Sequence, residues 1–298
     1  MWAAVLSALV AVSSPCTAPV IVTGHGVPVS VVEDLQSAAP ALEAHVHDAL
    51  ALGSCAPIRV ELLPAIENAD ALQPPWQLPE WAAGAAVPEE RRIVVAITAR
   101  KEHQDRERIL LHELAHVGVR EAAAGKPVPR WLDEGVARTI AGEAGASDDM
   151  DALARARIGD RLFPLAALVD GFPARGDLAA LAYAESGRAA AAIGPAVPAV
   201  LHELGRGLAI DDALLAASGQ RSWQLDVAVE KSIPLASAWS LVGLDSELAY
   251  ALAGLGFAWA GIRARRRIRE RLRAYPDDAH PLFPDVHLLR WTVRRARA

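Results

Sequence analysis

Three observations predict an α+β fold. Alternating strand patterns are confined to the first hundred residues, the sequence from Asp105 onward is Ala-rich and almost continuously helical, and no internal repeat is present. That order favours a small sheet packed on a helix, followed by a helical second half. A chain of 298 residues can bury a substantial core without staples. Its two cysteines, Cys16 and Cys55, have no metal-like spacing, and whether they can pair depends on whether Cys16 stays in the mature chain.

Residues 1–18 come first. Trp2 to Val12 is an apolar run of signal-peptide length, and the small residues from Ser13 to Ala18 would supply a cleavage site. No Lys or Arg precedes the run, so a buried strand or helix is the alternative. "PVIVTGH" then reads as a strand and "SVVEDLQSAAPALEAHVHDALALG" as a helix closed by Gly53. "PIRVELL" alternates as a second strand, "QPPWQLPEWAAGAAVPEE" reads as a long loop, and "RRIVVAITA" as a third strand. Residues 19–104 thus form an α/β part and residues 105–234 a helical part of one domain.

Hydrophobic residues make up 52% of the chain, which directs attention to a second apolar run, Leu248 to Ile262. Its fifteen uncharged residues would rise about 22 Å as a helix, short of the roughly 30 Å hydrocarbon core. Snorkelling arginines, with Tyr250 and Trp259 as interfacial anchors, would close the gap, so 246–263 is expected to be a transmembrane helix. A buried core helix is the alternative. Residues 263–298 carry net +7 and the remainder −13, which the overall −6 conceals. Tail 264–298 therefore reads as cytoplasmic and drawn to anionic membrane lipid, not as a nucleic-acid arm.

The chemistry lies in "ILLHELAHVGVR", Ile109 to Arg120. Helical spacing of four puts His112 and His116 on one face, as two ligands of one zinc ion require. Glu113 lies about 100° round the helix, placed to act as a general base without being a ligand. A catalytic zinc needs a third protein ligand and an open fourth position. "VPRWLDEGVARTIAGE" offers Glu134 and, as competitor, Asp133; the longer Glu side chain spans a helix–helix gap more easily. Both acids would also suit an exposed helix start. His25, His45, His47, His103, His280 and His287 have no partner at metal spacing, and in "LHELG" Arg206 stands where a second histidine would be needed after His202.

"HELAH" followed by "PRWLDEGVA" resembles the gluzincin metallopeptidases, in particular the membrane-linked bacterial families of the peptidase MA clan, over most of the chain. The resemblance implies a zincin, thermolysin-like fold. Its other marks are "WAAGAA", the strand "RIVVAI" just before the metal helix, the Tyr-Ala-x-Ser helix at "YAESG", and the helical "LHELGRGLAIDDALLAASG". A carboxy-terminal transmembrane helix is common in such proteins. The resemblance implies Zn2+ held by His112, His116 and Glu134, with Glu113 as base. Tyr183 would be a second oxyanion donor, or else a packing tyrosine. "GRAAAAIG" departs from the bulky residues usual there and implies looser packing behind the site. The aminopeptidase branch has one more residue between the second histidine and the glutamate, so its exopeptidase activity does not carry over.

The expected function is zinc-dependent hydrolysis of a peptide or protein substrate. Zinc lowers the pKa of a bound water, and Glu113 takes its proton and passes it to the leaving amine. The alternative is an inactive zincin-fold binding or regulatory module at the membrane. "RIVVAI", Arg92 to Ile97, is the expected edge for an extended substrate, unless it is an interior strand. The two apolar runs place the metal helix in the periplasm or outside the cell, tethered by one carboxy-terminal pass.

Overall fold

The computed structural model describes residues 19–53, 56–65, 83–97, 103–234 and 246–274. The amino-terminal segment, Cys16, Cys55, most of the loop before Gly84, and His280 and His287 lie outside them. The chain forms two compact units, Met1–Trp239 and Ser240–Ala298.

In the first unit, β1 (Val20–Gly24) alternates, burying Val20 and Val22 and exposing Ile21. Helix α1 (Val29–Leu50) crosses over to β2 (Ile58–Leu63), which pairs in parallel with β1 with Val20 opposite Ile58. The helix stops short of Gly53. Ala51 turns left-handed at φ 53°, and the Ala51 and Leu52 amides close onto the Asp48 and His47 carbonyls at 3.4 and 3.0 Å, so the stop is made by a non-glycine residue.

The long loop contains a strand that sequence reading missed. β3 (Gly84–Val87) pairs antiparallel with β4 (Arg92–Ala96) around a 3-10 turn at Pro88–Glu90, giving the order β1-β2-β4-β3. β4 is therefore interior, hydrogen-bonded to β2 on one side and β3 on the other, and the expectation that Arg92 to Ile97 forms the substrate edge is overturned. The reason is legible in burial. Ile93, Val94 and Val95 are all fully buried, the continuous apolar run of a strand covered on both faces. Among the described residues the sheet edge on that side is β3.

Helix α2 (His103–Ala122) packs on the sheet and on α1, burying Leu110, Leu114 and Val117. Gly118 makes the approach to α1 possible, since a Cβ there would stand 2.6 Å from Val46 Cγ1 and 2.9 Å from Leu50 Cδ1. A turn through Ala124 and Gly125, both at positive φ, reverses the chain into α3 (Arg130–Ile140), which starts behind Pro129. The remaining helices are α4 (Ser147–Gly159), α5 (Gly176–Ile193), α6 (Val197–Gly205), α7 (Ile210–Ser218) and α8 (Ser222–Ser232). Two buried carboxylates tie the loop between α4 and α5 to this half: Glu185 accepts the Phe163 amide at 3.0 Å and Asp226 the Leu165 amide at 2.9 Å.

The crossing of α3 and α5 is close, contrary to the looseness expected from "GRAAAAIG". A Cβ on Gly135 would run into the Ser186 carbonyl and meet Ala190 Cβ at 3.0 Å, and Ala189 and Ala190 are buried. Small side chains here bring the helix axes together.

In the second unit, α9 (Ser246–Ala274) continues as one helix through the apolar run and the arginines after it. The expected transmembrane helix at 246–263 is not met: among the described residues no helix is long and apolar enough to cross a membrane. The apolar stretch ends at Arg263, after fifteen residues.

Gly135→Ala is expected to lower stability by about 1–3 kcal/mol through overpacking of the α3–α5 crossing. The check is the urea midpoint, and an unchanged midpoint would contradict the close crossing.

Candidate metal centre

The centre is assembled by α2, α3 and the turn after α3. Residues four apart on α2 bring the His112 and His116 rings to 4.9 Å between centroids at 72°. Helix α3 buries Trp131, Leu132, Val136 and Ala137, and the same face carries Glu134 inward to 2% exposure. Glu134 Oε2 lies 3.5 Å from His112 Nε2 and 3.8 Å from His116 Nε2. Among the described residues, His112, His116 and Glu134 are the one set whose donor atoms all lie within 4.8 Å of one another.

The set fits a metal. Donors at about 2.0–2.1 Å from a tetrahedral ion stand roughly 3.4 Å apart, close to the spacings to Glu134 Oε2. That oxygen is buried with no hydrogen bond of its own, which an uncompensated carboxylate would not tolerate. The second carboxylate oxygen, Oε1, is held at 2.5 Å by the Arg130 guanidinium. Two imidazoles with one carboxylate suit a first-row divalent ion.

A carboxylate stands behind each ring. His116 Nδ1 is hydrogen-bonded to Asp133 Oδ1 at 2.9 Å, and His112 Nδ1 lies 3.2 Å from Glu143 Oε2, an ion-pair contact that lacks hydrogen-bond alignment. Asp133, the rival to Glu134 in sequence, thus contacts the far nitrogen of His116 and is outside the donor set. Carboxylates on Nδ1 leave both Nε2 atoms for an ion.

Glu113, on the same turn of α2, is buried at 7% exposure. Burial pushes its carboxyl pKa up, and the neighbouring His116 and His112 charges only partly offset this. A carboxylate of raised basicity is what a general base near neutral pH requires. Its neighbour is β3, where a Cβ on Gly84 would stand 2.8 Å from Glu113 Oε1, so the edge strand runs directly alongside this carboxylate. Tyr183 reaches the same region from α5, its ring edge-on to Phe172 at 4.8 Å and its hydroxyl hydrogen-bonded by Arg130. Burial first, then Glu134, pushes its pKa up, so the hydroxyl keeps its proton.

Sequence reading missed Arg130 and Glu143. Arg130 was available in principle, being four residues before Glu134 on one helix, the spacing of an ion pair. Glu143 gave no such signal. It arrives through a turn with Gly142 and Gly145 at positive φ, which spacing rules do not forecast. His202 is exposed, and Glu203 pairs with Arg206 at 3.0 Å, remote from any metal geometry.

An α+β domain presenting two histidines of one helix and a glutamate of the next to a common point is the arrangement of the HExxH metallopeptidases. The sequence model of the Peptidase MA superfamily matches residues 50–232, more than half of the chain, and the protein belongs to that superfamily. No curated protein and no solved structure matches it significantly.

The metal-free centre is proton-loaded. Burial pulls the His112 pKa down, but the Glu134, Glu143 and Glu113 carboxylates outweigh it and push it up to about 10. Burial likewise opposes His116, and Asp133 and Glu134 raise it. Glu134 is raised by burial but held at about 2 by His116, His112 and Arg130. Because the folded value of His112 exceeds the ordinary 6.5, its proton stabilises the metal-free fold fully below pH 6.5, and that contribution is lost as pH rises towards 10. A metal on Nε2 displaces these protons, so binding at about pH 7.5 is expected to release roughly one to two protons and to weaken as pH falls. Calorimetry in buffers of different ionisation heat measures the release; proton-neutral, pH-independent binding would contradict the assignment.

Proposed function

We propose that the protein is a zinc-dependent peptidase that hydrolyses peptide bonds. The observation that carries the reading is the convergence of His112, His116 and Glu134 on one point, with His116 and Glu134 buried, His112 half-buried and Glu113 beside them. Zn2+ would be held by His112 Nε2, His116 Nε2 and Glu134 Oε2, and when bound there supplies the Lewis acidity that activates a water and polarises a carbonyl. Glu113 takes the proton of the attacking water and returns it to the leaving amine. Tyr183, its hydroxyl oriented by Arg130, donates a hydrogen bond to the developing oxyanion. An extended peptide or protein segment adds to β3, the sheet edge that passes Glu113, and main-chain hydrogen bonds hold its scissile carbonyl near the base.

Retention of all four residues favours catalysis over an inactive binding module. Glu113→Gln is expected to leave zinc stoichiometry unchanged and reduce peptide hydrolysis at least about a hundredfold, as loss of a general base does. His116→Ala is expected to lose the zinc. Wild-type turnover in Glu113→Gln sinks the proposed base, and unchanged zinc content in His116→Ala sinks the ligand set. Tight zinc binding by the wild type without cleavage across a broad peptide library would favour the binding module.

We further propose that α9 associates with an anionic membrane surface. Leu255 and Phe257 are 71% and 69% exposed, and they lie about 200° apart round the helix, so no single protein groove covers both. Trp259 and Ile262 are exposed as well, and Arg263, Arg265, Arg266 and Arg267 follow at once, with Arg263 stacked 3.7 Å above the Trp259 ring. Apolar contact with acyl chains, capped by arginines at headgroup phosphates, suits this lengthwise segregation. The sidedness expected from the arginine cluster depends on a spanning helix, whereas association with one surface does not. The full chain is expected to float with anionic but not zwitterionic vesicles, and Phe257→Asp with Trp259→Asp to abolish flotation. No flotation of the wild type overturns this reading.

A further inference from the structure

We infer that Glu143 is a positioning residue for metal binding: from the turn after α3 it fixes the His112 ring so that Nε2, and not Nδ1, meets the ion. The inference rests on the zinc reading above.

The two histidines are oriented by different means. Asp133 is the residue next to the ligand Glu134, so its hold on His116 Nδ1 at 2.9 Å comes from the same helix turn that delivers the ligand. Among the described side chains of α2 and α3 none does this for His112. Its Nδ1 instead faces Glu143 Oε2 at 3.2 Å, nine residues beyond Glu134, close enough for a small ring rotation to complete the hydrogen bond that this buried nitrogen lacks without the ion. Reaching that place requires a particular backbone, with Gly142 at φ 69° and Gly145 at φ 87°, where a side chain would be strained.

The backbone of Glu143 is pinned on both sides by one residue. Its N–H donates to the Arg138 carbonyl at 2.8 Å, and its carbonyl accepts from the Arg138 guanidinium at 3.3 Å. That guanidinium is fixed in turn by Asp149 at 2.6 Å on α4. Arg138 thereby spans from α3 to α4 and holds the turn between them. Its carbonyl also receives the Ala144 amide at 3.2 Å. The carboxylate of Glu143, with an arginine this close, nonetheless contacts the imidazole.

The chemical consequence follows from the imidazole itself. In the neutral ring one nitrogen carries a proton and the other a lone pair. A carboxylate at Nδ1 selects the Nδ1–H tautomer, turns the lone pair of Nε2 towards the point it shares with Glu134 Oε2, and raises the basicity of the ligand. Without it the ring is free to flip or to take the other tautomer, and the ion loses a preorganised donor.

The test uses the full chain and zinc itself. Dissociation constants for wild type, Glu143→Gln and Glu143→Ala are measured by chelator competition, and the thermal midpoint of each metal-free protein is recorded beside them. Zinc binding is expected to weaken about 10–100-fold in Glu143→Ala and less in Glu143→Gln, with metal-free midpoints near wild type. Co2+-loaded wild type and Glu143→Gln, which is isosteric, are compared by visible absorption; a changed ligand-field spectrum supports a disturbed His112. Wild-type zinc affinity in both Glu143→Gln and Glu143→Ala overturns the inference while leaving the zinc centre standing. Weakened affinity that tracks loss of the metal-free fold in both variants also overturns it, because Glu143 is then only structural. Failure of the wild type to bind zinc, or binding that survives His116→Ala, is a failure of the underlying centre and is read separately.

Discussion

Everything in the centre turns on the burial of one negative charge. Glu134 sits 2% exposed on a helix face otherwise made of Trp131, Leu132, Val136 and Ala137. A carboxylate there without compensation would cost several kcal/mol and would take up a proton instead. Its pKa is held at about 2, so compensation exceeds burial. One oxygen is met by Arg130 and the other by two imidazoles. The arrangement therefore requires cations on the histidine side, either two protons or one metal ion.

Three close approaches keep that charge in register. Gly118 lets α2 lie against α1, Gly135 lets α3 lie against α5, and Gly84 lets β3 lie against Glu113. Each is a point where a Cβ would meet an atom at 3.0 Å or less. Together they fix the metal helix between the sheet and the helical half, with the base facing the edge strand. Zinc geometry tolerates displacements of only a few tenths of an ångström, so such contacts matter to function as well as to stability.

The sequence disclosed these features unevenly. The convergence of His112, Glu113, His116 and Glu134 was readable because helical spacing fixes it: four residues for the histidines, and a turn between two helices for the glutamate. The parallel strands and α1 were readable by period. β3 was not, because "GAAV" has no bulky alternation and sits in a Pro- and Trp-rich stretch whose composition reads as loop. Missing it put the sheet edge one strand too early. The small residues of α5 were read as looseness because volume was considered without helix separation; a glycine facing alanines shortens the separation. For α9 the apolar count was right and the length insufficient.

The splitting of the Glu134 carboxylate has a consequence for coordination. Arg130 at 2.5 Å occupies Oε1, leaving Oε2 as the oxygen that faces the histidines. A glutamate free at both oxygens can bind an ion through two, filling a coordination position. One oxygen engaged by a guanidinium favours binding through the other alone, and with two imidazoles that makes three protein donors. Three is the number that leaves a fourth position open, which separates catalytic zinc from structural zinc. Arg130 also hydrogen-bonds the Tyr183 hydroxyl, so the residue that limits the ligand to one oxygen also aims the candidate oxyanion donor. The arginine thereby links how many oxygens Glu134 can offer an ion with where the Tyr183 hydroxyl is held, through one side chain that lies outside the donor set.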